Sequence, residues 1–239
     1  MIDLFFATSV NVYKVMIALE EMDLDYRILL IDISKGEQLD PTNVAGSPTG
    51  KLPVIRDHDP ADGGEPQLVF ESGAILQYLA EKTGRFLPAA ARARMEAIQW
   101  LYWQVGGLGP ISGQAWHFHA FAPRIAPDFD NSYAFSRYHN MMSKFWRVLD
   151  NELAKKPFIA GEYSVADMAC YPWVIYYPAQ EGMEAYPNIM RWRDKIAVRP
   201  AVQRCYRRAS EQQTGYEFNK EKQVAYYDWE GVRRTMITV

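Results

Sequence analysis

The chain has 239 residues, enough for one large domain or two ordinary ones around a substantial core. Apolar residues make up 49 % and charged residues 23 %, the balance of a soluble globular protein. A formal charge of −3 without any basic block excludes nucleic acid as a partner, because phosphate neutralisation needs clustered Lys and Arg. No apolar run approaches the ~20 residues that span a bilayer, so no membrane partner is expected either.

The opening MIDLFFATSV has no basic n-region and carries Asp3 where a signal peptide would be apolar. Ile2, Leu4, Phe5 and Phe6 predict a short buried strand. A helix follows from near Asn11, with Val12, Val15, Met16, Leu19 and Met22 on one face and Lys14, Glu20 and Glu21 off it. Residues 26–33 are apolar and β-branched enough for a second strand, and such a β-α-β unit is normally parallel with a right-handed crossover. Residues 34–50 are polar and punctuated by Gly and Pro, which predicts a loop with a short irregular helix. Val54–Asp57 and Gln67–Phe70 read as two brief strands around a turn over 59–66 with hairpin chemistry.

Phe70 ends that apolar run, Ser72 stands where a helix needs its N-cap, and Ile75, Leu76, Tyr78 and Leu79 repeat at helical spacing. The first domain therefore reads β-α-β-α-β-β-α over 1–84. An acid and a hydroxyl meet at its last helix start. A helix N-terminus offers unpaired N–H groups and partial positive charge, a natural seat for a carboxylate, while Glu71 beside it can neutralise an ammonium group. The pair suits a small zwitterion such as an amino acid or peptide. The plain alternative is that Ser72 only caps the helix and Glu71 is a solvated loop acid.

After a linker over 85–91, helical patterns take over through 92–212. The first is predicted over about 90–118, with Trp100, Trp103, Gly107 and Ile111 in register and Gly106, Gly107 and Gly109 in its middle. Those glycines either let a ligand approach the backbone or relieve the bend at Pro110. A second helix is predicted over about 129–153. Ser164-Val-Ala-Asp167 opens a third as a capping box, with Tyr163 and Met168 placed as a hydrophobic staple and Pro172 further in to bend it. Loss of that cap alone is worth roughly 1 kcal/mol. Two shorter helices follow near 187–197 and 200–212, each with Pro at its start. The tail over 213–239 mixes charge with Tyr216, Tyr226, Tyr227 and Trp229, which predicts docking on its own chain or on a partner subunit.

Several residues carry no expected site. His117 and His119 are two apart and do not share a helix face, so no metal set is expected, and His58 sits in an acidic turn and reads as solvated. Cys170 reads as core, as do Trp100 and Trp103. Cys170 and Cys205 have no CxxC spacing, which fits a reduced, cytoplasmic chain without a catalytic thiol of its own.

The order of elements, Lys51-Leu-Pro-Val54, Phe70-Glu-Ser-Gly-Ala-Ile-Leu76 and the Ser164–Asp167 box resemble the cytosolic glutathione transferases over nearly the whole chain to about Gln212. The opening MIDLFFA, the Asn11 helix start, the 57–66 turn and Trp103-Gln-Val-Gly-Gly-Leu-Gly-Pro110 resemble more narrowly the bacterial Nu class. The resemblance implies an α+β fold, a thioredoxin-like domain followed by an all-helical one. It implies that Leu52-Pro53 is cis, so that the Leu52 backbone pairs with the cysteinyl part of glutathione. Glu71 would take the γ-glutamyl ammonium, Ser72 the adjacent carboxylate, and Lys51 and Gln38 the glycyl end.

At the thiol end the loop reads Ala7-Thr-Ser-Val-Asn11, with neither Cys nor Tyr. The Nu pattern matches Ser9 and Asn11 as the hydroxyl and amide that lower the thiol's pKa, with Thr8 a competing hydroxyl and capping an alternative role for Asn11. Arg137 matches the helical-domain arginine for a second glutathione, with a plain surface Arg as the alternative. The implied protein is a homodimer that takes two glutathiones or one glutathione disulfide per site. Its activity would be thiol–disulfide exchange, with conjugation to an electrophile or non-catalytic binding as the alternatives.

Overall fold

A computed structural model describes residues 1–40, 47–176 and 182–212; the predicted tail falls outside them. Strand β1 (Ile2–Phe6) is buried along its whole length and leads through Ala7 into α1 (Val10–Glu21). Strand β2 (Tyr26–Leu30) pairs parallel to β1, as the crossover demands. It ends before the predicted residue 33, where Ile33–Lys35 turns into a short 3-10 segment followed by a second at Glu37–Leu39. Among the described residues these two turns stand in place of the irregular helix. Strands β3 (Val54–Asp57) and β4 (Gln67–Phe70) form the expected hairpin, and the sheet order is β2-β1-β3-β4 with both later pairings antiparallel. Helix α2 (Ser72–Thr83) closes this part and ends at Gly84, whose φ of 66° suits a residue without a Cβ.

The remainder is helical, so the fold is the expected α+β arrangement. The single helix predicted over about 90–118 is divided: α3 (Ala91–Trp103), a π segment (Gln104–Leu108), α4 (Gly109–Trp116), a second π segment (His117–Phe121) and α5 (Ala122–Ile125). Then come α6 (Ser132–Leu153), α7 (Val165–Tyr176), α8 (Pro187–Ala197) and α9 (Pro200–Glu211). Helix α1 packs against α2, α7 and α9, so one apolar core runs from β1 through α1 into α7 and α8. None of the described helices is long and apolar enough to cross a membrane.

Two predictions about surface residues are corrected. Lys14, Glu20 and Glu21, read as the polar face of α1, are all buried, because α7 and α9 cover that face too. Glu20 is held by Arg204, Arg208 and the Tyr26 hydroxyl, and Glu21 by a two-pronged bond from Arg199 at 2.6 and 2.8 Å. His58 is exposed yet not merely solvated: its Nε2 lies 2.8 Å from Oδ2 of the buried Asp3.

The capping box at Ser164 forms in modified geometry. Asp167 accepts the Ser164 N–H at 3.0 Å, but the Ser164 hydroxyl accepts from Ala166 rather than from residue 167. The Asp167 carboxylate also takes the Ile159 N–H at 3.0 Å and the Trp192 indole N–H at 2.8 Å. It therefore ties the loop before α7 to α8, well beyond a local cap.

Candidate functional site at one end of the sheet

The register of three strands assembles the site. Phe5 of β1 lies opposite Val54 of β3, and Val54 lies opposite Phe70 of β4. The residues that follow β1, precede β3 and follow β4 must therefore meet at one end of the sheet. These are the Thr8–Asn11 turn, the Leu52-Pro53 loop and the Glu71-Ser72 junction. Leu52-Pro53 is cis, as the family resemblance implied.

Ser9 occupies the N-cap position of α1 in extended backbone, half-buried, and its hydroxyl makes no capping bond. Thr8 is exposed one residue earlier. Asn11 is not the cap. It lies inside the first turn of α1, where its Oδ1 accepts the Trp173 indole N–H at 3.3 Å. Glu71 rather than Ser72 occupies the N-cap position of α2, exposed and with a φ of 68°. A non-glycine residue in that region costs roughly 1 kcal/mol or more, and such backbone is concentrated at functional sites. Ser72 is the first residue of α2 and is buried.

Gln38 is buried on the 3-10 turn, and its Oε1 has no hydrogen-bond partner among the described residues. Gly50 (φ 61°) packs so tightly on this turn that a Cβ would fall 2.6 Å from a Leu39 methyl carbon, which keeps the chain before Lys51 against it. Lys51 itself is exposed, and its backbone N–H and C=O both bond the Ser47 hydroxyl at 2.9 Å. Arg137 stands apart: it is exposed on α6, and no ion pair or hydrogen bond joins it to this cluster among the described residues. An open cavity of about 460 Å³ runs along one face of α2 towards Tyr102 and Val105. Of the predicted site residues only Glu71 lines it, so the cavity adjoins the site and does not coincide with it.

Three residues of the site floor escaped the sequence reading. Lys14 is only 1 % exposed; its Nζ donates to Gln104 Oε1 at 2.5 Å and to the Ser72 hydroxyl at 3.4 Å, and lies 5.8 Å from the centre of the Trp173 ring. Burial lowers its titration to about 7, against the attraction of Cys170 and Glu71. Gln104 is fully buried in the first π segment, and Trp173 sits on α7. The available signal was in α1 itself. Val10, Val12, Val15, Met16, Ile17 and Leu19 leave almost no polar face, so a lysine in their midst must be buried.

Two of the three mid-helix glycines, Gly107 and Gly109, make room for side chains. A Cβ on Gly107 would fall 2.4 Å from the Phe145 ring, and one on Gly109 would fall 2.7 Å from Gln104 Nε2. Cys170 and Cys205 are both buried, and burial pushes both thiols well above their ordinary range. A buried thiol held protonated is a poor nucleophile.

The chain and its fold also match known proteins. The glutathione S-transferase N-terminal domain family matches residues 8–82 and the C-terminal domain family residues 138–200. Disulfide-bond oxidoreductase YfcG of Escherichia coli is 48 % identical over 204 residues, covering 84 % of this chain and 93 % of that protein. A glutathione transferase from Burkholderia graminis, solved with two glutathione molecules per subunit, has a TM-score of 0.83 at 37 % identity, over 90 % of this chain and 89 % of that one. One from Pseudomonas putida, with one glutathione disulfide per subunit, has a TM-score of 0.80 at 36 % identity, over 85 % and 90 %.

Proposed function

Because the chain belongs to the glutathione S-transferase family, we propose that it is a glutathione-dependent disulfide reductase of the Nu type, acting without a protein cysteine. The observation that carries this reading is the meeting at one sheet end of an uncapped Ser9 hydroxyl, the cis Leu52-Pro53 loop and the Glu71-Ser72 helix start, while both thiols of the chain are buried.

Glu71 neutralises the γ-glutamyl ammonium, and Ser72 with the N-terminus of α2 takes the adjacent carboxylate. The Leu52 backbone pairs with the cysteinyl residue, which directs its sulfur towards Ser9 and Asn11. Ser9 and the Asn11 amide, the latter steadied by Trp173, donate to the sulfur and favour its thiolate. Gln38 and Lys51 serve the glycyl end, and Arg137 a second glutathione. The thiolate attacks one sulfur of a disulfide, forming a mixed disulfide and expelling the other sulfur as a thiolate. The second glutathione thiolate then attacks the glutathione sulfur of that mixed disulfide, giving glutathione disulfide and the second product thiol. Two thiols are oxidised and one disulfide reduced, so the step balances without another reductant.

The same reading includes a homodimer, supported by the exposed Phe70, Met95 and Tyr102 on β4 and α3, and a cytoplasmic setting, supported by two unpaired buried cysteines. The division at 85–91 belongs to it as well. Conjugation is the second reading, favoured by the aromatic surface that Trp103–Phe145 and Phe118–Tyr138 offer an apolar electrophile. Turnover of a small model disulfide, measured beside that of an aryl halide with glutathione in excess, separates the two. Robust conjugation with negligible disulfide reduction overturns the first. Glu71→Gln is expected to weaken glutathione binding by about tenfold or more through the lost charge-assisted bond, and unchanged affinity would show the site to be misassigned.

A further inference from the structure

Lys14 is a buried cation without a counter-charge. No ion pair includes it among the described residues, and the two groups it touches, the Gln104 carbonyl oxygen and the Ser72 hydroxyl, are neutral. Isolated buried ammonium groups are costly, so one held under a candidate anion seat calls for a reason.

The groups around it can be taken element by element. From α2, Ser72 contacts it, and the exposed Glu71 carboxylate attracts it without contact. From α7, the Trp173 ring and the neutral Cys170 thiol face it, while Asp167 is engaged with Ser164, Ile159 and Trp192. From the π segment comes Gln104. Of the charged groups of α9, Arg204 and Arg208 turn to Glu20, and the Tyr206 ring packs tilted against Tyr13. No described residue supplies the missing partner, and Ser72 is the polar group between the ammonium and the N-terminus of α2. With the ammonium donating to its oxygen, the Ser72 hydroxyl is left to point its own hydrogen at a ligand.

We propose that Lys14 is a positioning residue and the buried counter-cation of the site: a ligand carboxylate seated at Ser72 and the N-terminus of α2 completes its ion pair, so the carboxylate binds together with a proton on Lys14. This rests on the reading of Ser72 as the γ-glutamyl carboxylate anchor and deepens it. The titration of the empty site supports the coupling. An ammonium that gives up its proton at about 7 is largely neutral at pH 8, and a nearby anion raises its affinity for the proton.

The test uses S-methylglutathione, whose blocked sulfur removes the thiol's own proton release. Its binding to the full chain is measured calorimetrically at pH 8 in buffers of different ionisation enthalpy, which counts protons. The wild-type chain is expected to take up about one half to one proton per ligand, and to bind less tightly as pH rises from about 7 to 10. Lys14→Met is expected to abolish the uptake and weaken binding about tenfold at pH 7. Lys14→Arg, charged throughout, is expected to restore affinity without uptake. The wild-type measurement decides the matter even if a variant folds poorly. Binding that Glu71→Gln weakens but that brings no proton, or uptake that persists in folded Lys14→Met, overturns the role of Lys14 alone. Absence of binding to the wild-type chain, or binding indifferent to Glu71→Gln, overturns the glutathione reading and this inference with it.

Discussion

Replacing Lys14 by Met should change how the free protein's stability depends on pH, and the size follows from its surroundings. Its folded-state titration lies at about 7, below the ordinary 10.5. Between those values the unfolded chain holds more protons than the folded one, so stability rises with pH there; the cost of burying the charge is complete below the folded value. A full proton is worth about 1.4 kcal/mol per pH unit; from about pH 7 to about pH 9 that is ~3 kcal/mol, reduced somewhat because half the folded molecules still hold the proton at the start. This group should therefore add about 2 kcal/mol across the interval.

Lys14→Met removes that increment. At pH 7 it also removes about 4 kcal/mol of neutralisation cost, set against roughly 1–3 kcal/mol for leaving the Gln104 oxygen without its donor. The variant should thus be the more stable at pH 7 by about 1–3 kcal/mol, with an advantage that shrinks by about 2 kcal/mol at pH 9. Urea unfolding of both proteins at the two pH values, followed by tryptophan fluorescence and compared as differences, cancels every other titrating group. A difference between the two proteins that stays constant from pH 7 to 9 would refute the burial argument.

Two packing predictions are independent of the ligand. Asp167→Ala leaves the N–H groups of Ile159, Ser164 and Trp192 without their shared acceptor, so the loss should be at least about 3 kcal/mol, well above the ~1 kcal/mol of a simple cap. A thermal melt should show a fall of roughly 6–12 °C, and a fall of one or two degrees would mean the wider network contributes little. Gly107→Ala drives a methyl group into the Phe145 ring and should cost about 1–3 kcal/mol despite the better helix propensity, whereas Gly106→Ala meets open space and should be neutral or gain up to ~1 kcal/mol. Equal urea midpoints for the two variants would count against steric packing as the reason for Gly107.

What the sequence disclosed and what it hid divide along a physical line. Strands β1, β3 and β4, the hairpin, the proline-led helices α8 and α9 and the start of α2 to within one residue were legible because each is set by local alternation, turn residues or a cap. The π segments were not, since Gln104–Leu108 and His117–Phe121 carry apolar residues that fit a continuous helical pattern equally well. The same holds for side chains. Glu71 and Ser72 could be singled out by type and position, and the Leu52-Pro53 loop by the family resemblance, but the bond from Trp173 to Asn11 joins residues 162 apart, and that from Lys14 to Gln104 joins residues 90 apart. Reading Lys14, Glu20 and Glu21 as a polar face placed them in water; the apolar crowding of α1 argued against that for Lys14, but only the structure shows that α7 and α9 cover the face that carries Glu20 and Glu21.

Those two distant bonds have a common consequence for how the site works. Ser9, Asn11 and Lys14 lie on the α1 side, whereas Trp173 and Gln104 come from α7 and the segment after α3. The helical part thus supplies the underside of the candidate site: one contact fixes the Asn11 amide and the other holds the ammonium beneath Ser72, which in the proposed reading are the thiol and carboxylate ends. If the proposed glutathione site is right, a shift of α7 and the π segment against α1 would disturb both of its ends together. Gly109 tightens this arrangement, because a Cβ there would collide with Gln104 and disturb its hold on Lys14. On the proposed reading, packing between the two parts and ligand recognition form one network, with Lys14 in contact with Gln104 and Ser72 and close to the Trp173 ring.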